Sequence, residues 1–355
     1  MLGIDRQVAR YVWTAAVVVL LLVLVYLVRR TVFIFILALL FAYMLSPVVN
    51  LLDRFLPTSR TRTPALALAY VIFVGLVVLI GIQIGSRIVD QATALAKTFP
   101  DMIRSWQTPT PGAPEAINSL KGQIVAKIRT EVVEKSSDLI SALSRAGLKV
   151  ITVASDLIYV VIIPILGFFF LKDGRVMRQH ILEIVSAGPR RALLDDVMAD
   201  IHLLLAHYMR ALVVLSLAAF TAYSIFFSIM GVPYGVLLAA VAGMLEFIPT
   251  IGPLAASVVI VVVAAVANAH VLAILIFILV YRVFQDYMLS PHLMGQGVEV
   301  HPLLLLFGVF AGAEVAGVAG SFLSVPVLAL VRILYLRMRK SRLRLDLTPT
   351  TTVEL

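Results

Sequence analysis

Long apolar runs without a single charged residue recur along this chain, separated by shorter polar stretches. Three of them cover residues 11–28, 31–52 and 63–86, and a fourth at 150–171 is broken only by Asp156. Each run approaches the roughly 20 residues that an α-helix needs to cross about 30 Å of hydrocarbon. The runs do not alternate between apolar and polar positions, as the strands of a membrane barrel do. The pattern therefore predicts an all-α fold, a polytopic transmembrane helical bundle.

The alternation of apolar runs and charged segments divides the chain into six parts. We predict three transmembrane helices in 1–86, an extramembranous amphipathic helical segment at 87–149, a fourth transmembrane helix at 150–171, a cytoplasmic amphipathic helical segment at 172–210, a transmembrane transport core at 211–338, and a basic, then disordered tail at 339–355. The amphipathic parts carry apolar residues at helical spacing, which is typical of a helix docked on a neighbour or on a membrane surface. A solvated structural helix is the alternative at 87–149.

The C-terminal part differs because helix-breaking residues interrupt its apolar runs. Two hairpins, 234–267 and 302–337, each contain a short helix, a break and a longer helix. Broken helices are tolerated in a membrane only inside protein or beside water, and they mark binding regions in transporters. The predicted hinges at these breaks are Gly231, Pro233, Pro249, Gly252, Pro253, Pro291, Gly295, Pro302, Gly312, Gly317, Gly320 and Pro326.

Composition and charge agree with a membrane protein. The chain is 61% hydrophobic and 14% charged, whereas soluble domains are about 45–50% apolar and about 25% charged. It has no cysteine, which excludes disulfides, thiolate chemistry and cysteine-type metal sites. If the N-terminus is cytoplasmic, most short basic loops also face the cytoplasm, with Arg29 and Arg30 as the exception. We therefore predict cytoplasmic N- and C-termini.

One carboxylate stands out because Glu246 lies between the uncharged runs 211–245 and 247–281. A charge near the bilayer centre costs at least ~2.5–3.5 kcal/mol, so such a residue normally faces protein or a wet cavity. Arg282 and Asp286 are spaced i, i+4 and can pair with each other, or either can pair with Glu246. These residues are candidates for a transport path or a coupling site. The alternative is structural: a hairpin tip at the interface and an ion pair near the membrane surface.

Three further polar residues are candidates for the same path. Gln285 adjoins Asp286 and offers an amide, and Glu314 lies between apolar segments flanked by glycines. His301 is a candidate because histidine is a side-chain type suited to proton shuttling, although a histidine before a proline is also typical of a helix start. The sequence lacks the metalloprotease, Walker A, nucleophile-elbow and Gly-x-Gly-Asp patterns. We therefore expect no enzyme, no cofactor, no metal site and no nucleic-acid partner.

Several motifs in order resemble the AI-2E family of transporters, also described as the autoinducer-2 exporter or PerM-like permease family. The stretches that carry the resemblance are FFFLKDG at 168–174, GVPYGVLLAAVAGMLEFIPTIGP at 231–253 and the segment 284–326. Within them, the family's FIP-x-[IV]-GP turn, Gln-x₅-Pro step, hPl start and glycine-rich end fall on 247–253, 285–291, 301–303 and 312–326. The chain departs from many relatives at 210–212, where Arg-Ala-Leu replaces Arg-Gly-Gln, and Glu246 is a position at which relatives vary.

The resemblance implies a multi-pass protein of the bacterial inner membrane with about eight spans and a tendency to form homo-oligomers. Some members look like exporters of a small furanosyl signalling molecule, and others like sodium or lithium/proton antiporters. We therefore expect a permease or exporter of small solutes, coupled to protons or cations. The alternatives are a Na⁺(Li⁺)/H⁺ antiporter and a channel-like or scaffolding membrane protein. The expected partners are a small-molecule or cation substrate and membrane lipid.

Overall fold

The computed structural model of this chain describes residues 6–55, 63–107, 157–267, 269–294 and 301–346, and every regular element in these ranges is helical. The helices are α1 (Arg6–Leu27), α2 (Arg29–Phe55), α3 (Thr63–Ile80), α4 (Ser86–Gln107), α5 (Leu157–Glu183), α6 (Pro189–Ile229), α7 (Gly235–Leu245), α8 (Ile251–Val266), α9 (Val271–Phe284), α10 (Ser290–Met294) and α11 (Pro302–Asp346). Two π-helical turns, Gly81–Gly85 and Gln285–Leu289, join α3 to α4 and α9 to α10. The predicted all-α class is confirmed.

Six helical stretches in the described ranges are long and apolar enough to cross a membrane. They are Arg10–Leu27, Arg29–Phe55, Thr63–Phe99, Pro189–Ile229, Val271–Leu293 and Pro302–Arg339, with α7 and α8 as shorter apolar helices. These lengths and compositions indicate a multi-pass membrane protein. The count of about eight spans stays a prediction, since the predicted span at 150–171 enters the described residues only at Leu157. Of the amphipathic segment predicted at 87–149, residues 108–149 lie outside the described residues.

One compact unit consists of Met1–Leu66 and Ala154–Met177. Its core is built on α2, where small and aliphatic side chains are buried, namely Ala38, Leu40, Ala42, Leu45 and Val49. Phe35 and Phe170 meet edge to face with ring centroids 6.1 Å apart. These rings help to line an apolar groove of about 360 Å³. The described side chains of α1 are exposed and, apart from Arg10 and Thr14, mostly apolar, as expected of a membrane-spanning helix.

The second compact unit consists of Ala67–Val153 and Arg178–Leu355 and contains the predicted transport core. The longest unbroken helix among its described residues, α6, runs for 41 residues, so the predicted boundary at residue 210 falls inside a continuous helix. Three side chains of α6, those of Ala219, Tyr223 and Phe227, enter a core shared with α7, α8 and α9. The other members of this core are Val232, Leu238, Ala239, Ala242, Ala256, Ile260, Val263, Ala264, Ile274, Ile278 and Tyr281.

A glycine ends α6 and turns the chain back into α7. Gly231 has a φ of 62°, and the Val232 amide donates to the Phe227 carbonyl at 2.9 Å. This is the Schellman arrangement, in which a left-handed residue closes a helix by capping its last carbonyls. The returning α7 packs closely on α6, where the Ser216 hydroxyl donates to the Gly243 carbonyl at 2.7 Å.

The long element α11 folds back on itself. Its backbone leaves helical geometry at Ala316 and Gly317, and a side chain at Gly308 would meet the side chain of Leu328. In a continuous helix these two positions would be about 30 Å apart, given a rise of 1.5 Å per residue. The halves before and after the break are therefore antiparallel. Whether either broken hairpin re-enters the membrane stays a prediction.

Candidate functional site

The link between α7 and α8 contains a strained turn. Thr250 has φ 66° and ψ −55°, and the Ile251 amide donates to the Pro249 carbonyl at 2.7 Å. These angles and this bond define the γ-turn with positive φ, a rare and strained conformation. Strain of this kind persists only where the surrounding structure holds it, and it is concentrated at functional sites.

The start of α8 depends on a glycine without a side chain. A Cβ at Gly252 would overlap the backbone carbonyl of Leu245 and lie 3.1 Å from the Cβ of Ile248. The Gly252 amide also donates to the Ile248 carbonyl at 3.0 Å, which links α8 to the turn that precedes it. The backbones of Gly252 and Leu245 therefore approach each other more closely than a residue with a side chain at position 252 would allow.

A polar cluster, formed by Glu246, Arg282, Gln285 and Asp286, lies beside this tip. Nη1 of Arg282 is 3.1 Å from Oε1 of Glu246, and Nε2 of Gln285 donates to Oε2 of Glu246 at 2.7 Å. Nη2 of Arg282 lies 3.6 Å from Oδ1 of Asp286. The exposed fraction of the side chains rises from 8% at Glu246 through 22% at Arg282 to 60% at Asp286. The cluster is thus a polar track from the interior of the unit to its surface.

The position of Glu246 explains why it needs these partners. It directly follows Leu245, the last residue of α7, where the aligned peptide dipoles leave partial negative charge. A buried carboxylate is unfavourable there unless a cation or hydrogen-bond donors compensate it. Arg282, on α9, and Gln285, in the π-helical turn that follows α9, supply this compensation.

The π-helical turn at Gln285–Leu289 shapes the other side of the polar cluster. Turns of this type arise by insertion of a residue into a helix and are frequent at functional sites. Gln285 is buried at its start, yet its Oε1 atom has no hydrogen-bond partner in the described part of the chain. The same holds for the hydroxyl of Tyr281, one turn earlier. Buried polar atoms are normally satisfied, so the cluster retains capacity to bind a polar ligand or water.

Aromatic rings pack beside the polar cluster. The Tyr223 ring lies 5.2 Å from Tyr281 and 5.1 Å from Phe277, both edge to face, and Phe226 stacks on Phe277 at 4.0 Å. Sequence reasoning missed these residues because they lie inside uncharged runs. The one available signal was the i, i+4 spacing of Tyr281 and Gln285, which places both on one helix face.

Comparison with known proteins assigns the chain to a family. The family model described as AI-2E family transporter matches residues 15–340.

The chain belongs to the AI-2E transporter family.

Relatives of similar length support this membership in a family of transporters. "Putative transport protein YueF" of Bacillus subtilis is 27% identical over 301 residues, which covers 83% of this chain and 80% of the relative. "Putative transport protein MT0215" of Mycobacterium tuberculosis is 27% identical over 297 residues, covering 82% and 79%. "Putative permease PerM" of Escherichia coli K12 is 23% identical over 304 residues, covering 83% and 84%. The predicted family resemblance is confirmed.

Two predicted path residues of this AI-2E protein lie apart from the polar cluster. The Leu303 amide donates to Nδ1 of the exposed His301 at 3.2 Å, so this histidine caps the start of α11. Glu314 is exposed two residues before the break at Ala316. No hydrogen bond or ion pair among the described residues connects either side chain to Glu246. A role of these two residues in transport stays a prediction.

The predicted hinge residues occupy three kinds of position. Those at or directly beside breaks between helices are Gly231, Pro233, Pro249, Gly252, Pro253, Pro302 and Gly317. Gly312 and Gly320 lie where the two halves of α11 touch, since a Cβ on either glycine would overlap backbone atoms of the other. Pro291 and Pro326 lie inside helical segments, and Gly295 lies outside the described residues. Whether any of these residues acts as a hinge stays a prediction.

Proposed function

We propose that this AI-2E family protein is a secondary permease that moves small solutes outward, with coupling to protons or cations. The observation that carries the proposal is the polar cluster: a carboxylate with an exposed fraction of 8%, held by Arg282 and Gln285 beside a strained helix break. Ionisable residues within membrane helices by default mark substrate or ion pathways. The names of the relatives YueF and PerM, a transport protein and a permease, support the same class.

The geometry suggests how the polar cluster takes part in transport. Arg282 contacts two carboxylates, Glu246 at 3.1 Å and Asp286 at 3.6 Å. When Glu246 takes up a proton or a cation, its attraction for the guanidinium falls and Arg282 shifts towards Asp286. The buried carboxylate thus alternates between an arginine-bound and a ligand-bound state. Two discrete arrangements of this kind are what a coupled carrier needs.

A Na⁺(Li⁺)/H⁺ antiporter is the second candidate. The observation in its favour is the charge of the polar cluster, because two carboxylates share one guanidinium. The cluster therefore carries one uncompensated negative charge when both carboxylates are ionised. Hard cations such as Na⁺ favour oxygen ligands, and the unpartnered Oε1 of Gln285 would add one.

Flux measurements in proteoliposomes test the permease and the antiporter together. An imposed pH gradient should drive flux of sodium or of a small solute, and Glu246→Gln should change the pH dependence of that flux. The control is Glu183→Gln, the same chemical change on an exposed residue at the end of α5, and it should leave the pH profile unchanged.

Each of the other possible outcomes of the flux measurement contradicts one part of the proposal. An unchanged pH profile in Glu246→Gln removes Glu246 from the coupling mechanism. Saturable flux that ignores the gradient indicates a facilitator, and no flux of any ion or solute favours a scaffolding role. A metabolite comparison of cells with and without the protein then identifies the solute.

We also propose a bacterial inner-membrane location, cytoplasmic termini and a homo-oligomeric state. Orientation rests on the distribution of lysine and arginine, which is enriched in cytoplasmic loops. The location and the oligomeric state rest on family membership alone.

A further inference from the structure

In the second unit, guanidinium–carboxylate contacts join the ends of three helices. Nε and Nη2 of Arg337 in α11 donate to the two carboxylate oxygens of Asp200 in α6 at 2.7 and 2.9 Å, and Nη1 donates to Asp196 at 2.8 Å. Arg178, near the end of α5, donates to Oδ1 of Asp195 at 2.7 Å. We call these five residues the arginine latch.

The arginine latch is more specific than a chance surface pair. Asp196 and Asp200 are spaced i, i+4 on α6, so their carboxylates repel each other unless a cation lies between them. Arg337 takes this position and contacts three carboxylate oxygens at once. Only the planar fork of a guanidinium matches that geometry, since a lysine ammonium is a single point charge.

The arginine latch is also able to open. The side chain of Arg337 is 30% exposed, and those of Asp200 and Asp196 are 33% and 58% exposed. Water can solvate all three charges after release, in contrast to the buried Glu246. Ion pairs of this exposure are screened by salt, and water offsets much of the free energy that is lost when they separate. The latch therefore has two accessible states, closed and released.

Two of the three helices that the arginine latch joins, α6 and α11, also touch the surroundings of Glu246. On α6, the Ser216 hydroxyl donates to the carbonyl of Gly243, three residues before Glu246. On α11, the Phe322 ring lies 6.0 Å from the ring of Phe247, the residue after Glu246. A shift of α6 relative to α11 at the latch therefore moves the walls of the polar cluster.

We propose that the arginine latch is a gate, which holds α6 against α11 in the state described here and must release during each transport cycle. The proposal rests on the proposed permease function, because the gate is defined by the flux that it controls. A purely structural contact would tolerate being locked permanently, whereas a gate would not.

Reversible cross-linking distinguishes a gate from a structural contact. Because the chain has no cysteine of its own, Asp200→Cys and Arg337→Cys together give one defined pair, bridged by a reducible bis-thiosulfonate reagent. We expect bridging to abolish sodium flux driven by a pH gradient in proteoliposomes, and reductant to restore it. The controls are each single-cysteine variant, and the double variant Asp101→Cys, Arg104→Cys, which replaces an exposed pair within α4. Treatment with the reagent should leave the flux of each control at the level of the same variant before treatment.

A second measurement needs no cysteine. Salt screens the arginine latch, so the initial flux rate of the wild type should rise with ionic strength, and Arg337→Gln should lose most of this dependence. Full flux in the bridged protein, or equal salt dependence in wild type and Arg337→Gln, overturns the gate and leaves the permease intact. Absence of flux in the unmodified wild type under every gradient overturns the permease, and the gate with it.

Discussion

The buried ion pair between Glu246 and Arg282 should be strongly coupled, and a double-mutant cycle measures this coupling directly. The cycle consists of Glu246→Gln, Arg282→Gln and the combination of both. Glutamine keeps the length of glutamate and one acceptor oxygen, but it replaces the other carboxylate oxygen, which accepts from Arg282 or Gln285, by a donor NH2 group and removes the charge. Each single substitution leaves one charge without its main partner, while the combination removes both charges.

The expected magnitude follows from the distance and the burial. At 3.1 Å and an effective dielectric constant of about 20, the Coulomb attraction is about 5 kcal/mol. Removal of one partner of a buried pair typically costs ~3–5 kcal/mol. Arg282 is 22% exposed and keeps Asp286, so Glu246→Gln should cost about 3 kcal/mol, the lower end of that range. Arg282→Gln should cost more, because it leaves a carboxylate buried with Gln285 alone. We expect a coupling free energy of about 2–3 kcal/mol.

Denaturant-induced unfolding in mixed micelles gives the free energy of unfolding of the wild type and of each variant in the cycle. The control is a second cycle on Asp101 and Arg104, a pair 3.5 Å apart whose side chains are 73% and 80% exposed. An exposed i, i+3 pair contributes only about 0.2–0.5 kcal/mol. A coupling at the Glu246–Arg282 pair no larger than that of the control would contradict this prediction, because it would mean that water screens Glu246 as fully as a surface carboxylate.

Two further predictions concern the hairpin tip and the orientation. Gly252→Ala should destabilise the protein by about 1–3 kcal/mol or more, because the new methyl group overlaps the Leu245 carbonyl. Gly174→Ala, whose methyl group meets nothing within 4 Å, should be neutral or stabilising by up to about 1 kcal/mol; equal melting temperatures for the two variants would contradict this account. For orientation, a cysteine introduced at Ser137 should react with an impermeant thiol reagent added outside the cell. Labelling from the cytoplasmic side alone would invert the proposed topology.

The sequence was sufficient for the features that depend on local patterns. Uncharged runs of about the length of a bilayer predicted the membrane helices, and the cluster Pro249, Gly252 and Pro253 predicted the break between α7 and α8. The spacing of Arg282 and Asp286 allowed their contact, and the isolation of Glu246 indicated that it needs a partner. Each of these inferences requires only helix periodicity and the cost of a buried charge.

Other features of the candidate site could not be predicted because they depend on contacts between distant segments. In the arginine latch, Arg337 contacts Asp200 and Asp196, which precede it by 137 and 141 positions in the sequence. No local periodicity specifies which arginine meets the acidic residues of α6. The strain at Thr250 was equally hidden, since threonine does not favour a positive φ and only the geometry of the hairpin tip imposes it. The π-helical turn at Gln285 has no simple sequence signature either.

The two ion-pair systems of the second unit differ in the way a transport cycle requires. The Glu246–Arg282 pair is buried, so separating it is costly unless a ligand replaces the lost charge, and this makes it suited to sensing occupancy. The arginine latch is half-exposed, so water itself replaces the lost contacts, and this makes it suited to opening without a ligand. Gly243 contacts Ser216 of α6 and Phe247 contacts Phe322 of α11, so in the proposed mechanism occupancy of Glu246 would bias the latch. Ligand binding at the polar cluster should therefore change the rate at which the cysteines introduced by Asp200→Cys and Arg337→Cys are bridged. The same ligand should change this bridging rate less when Glu246→Gln is also present.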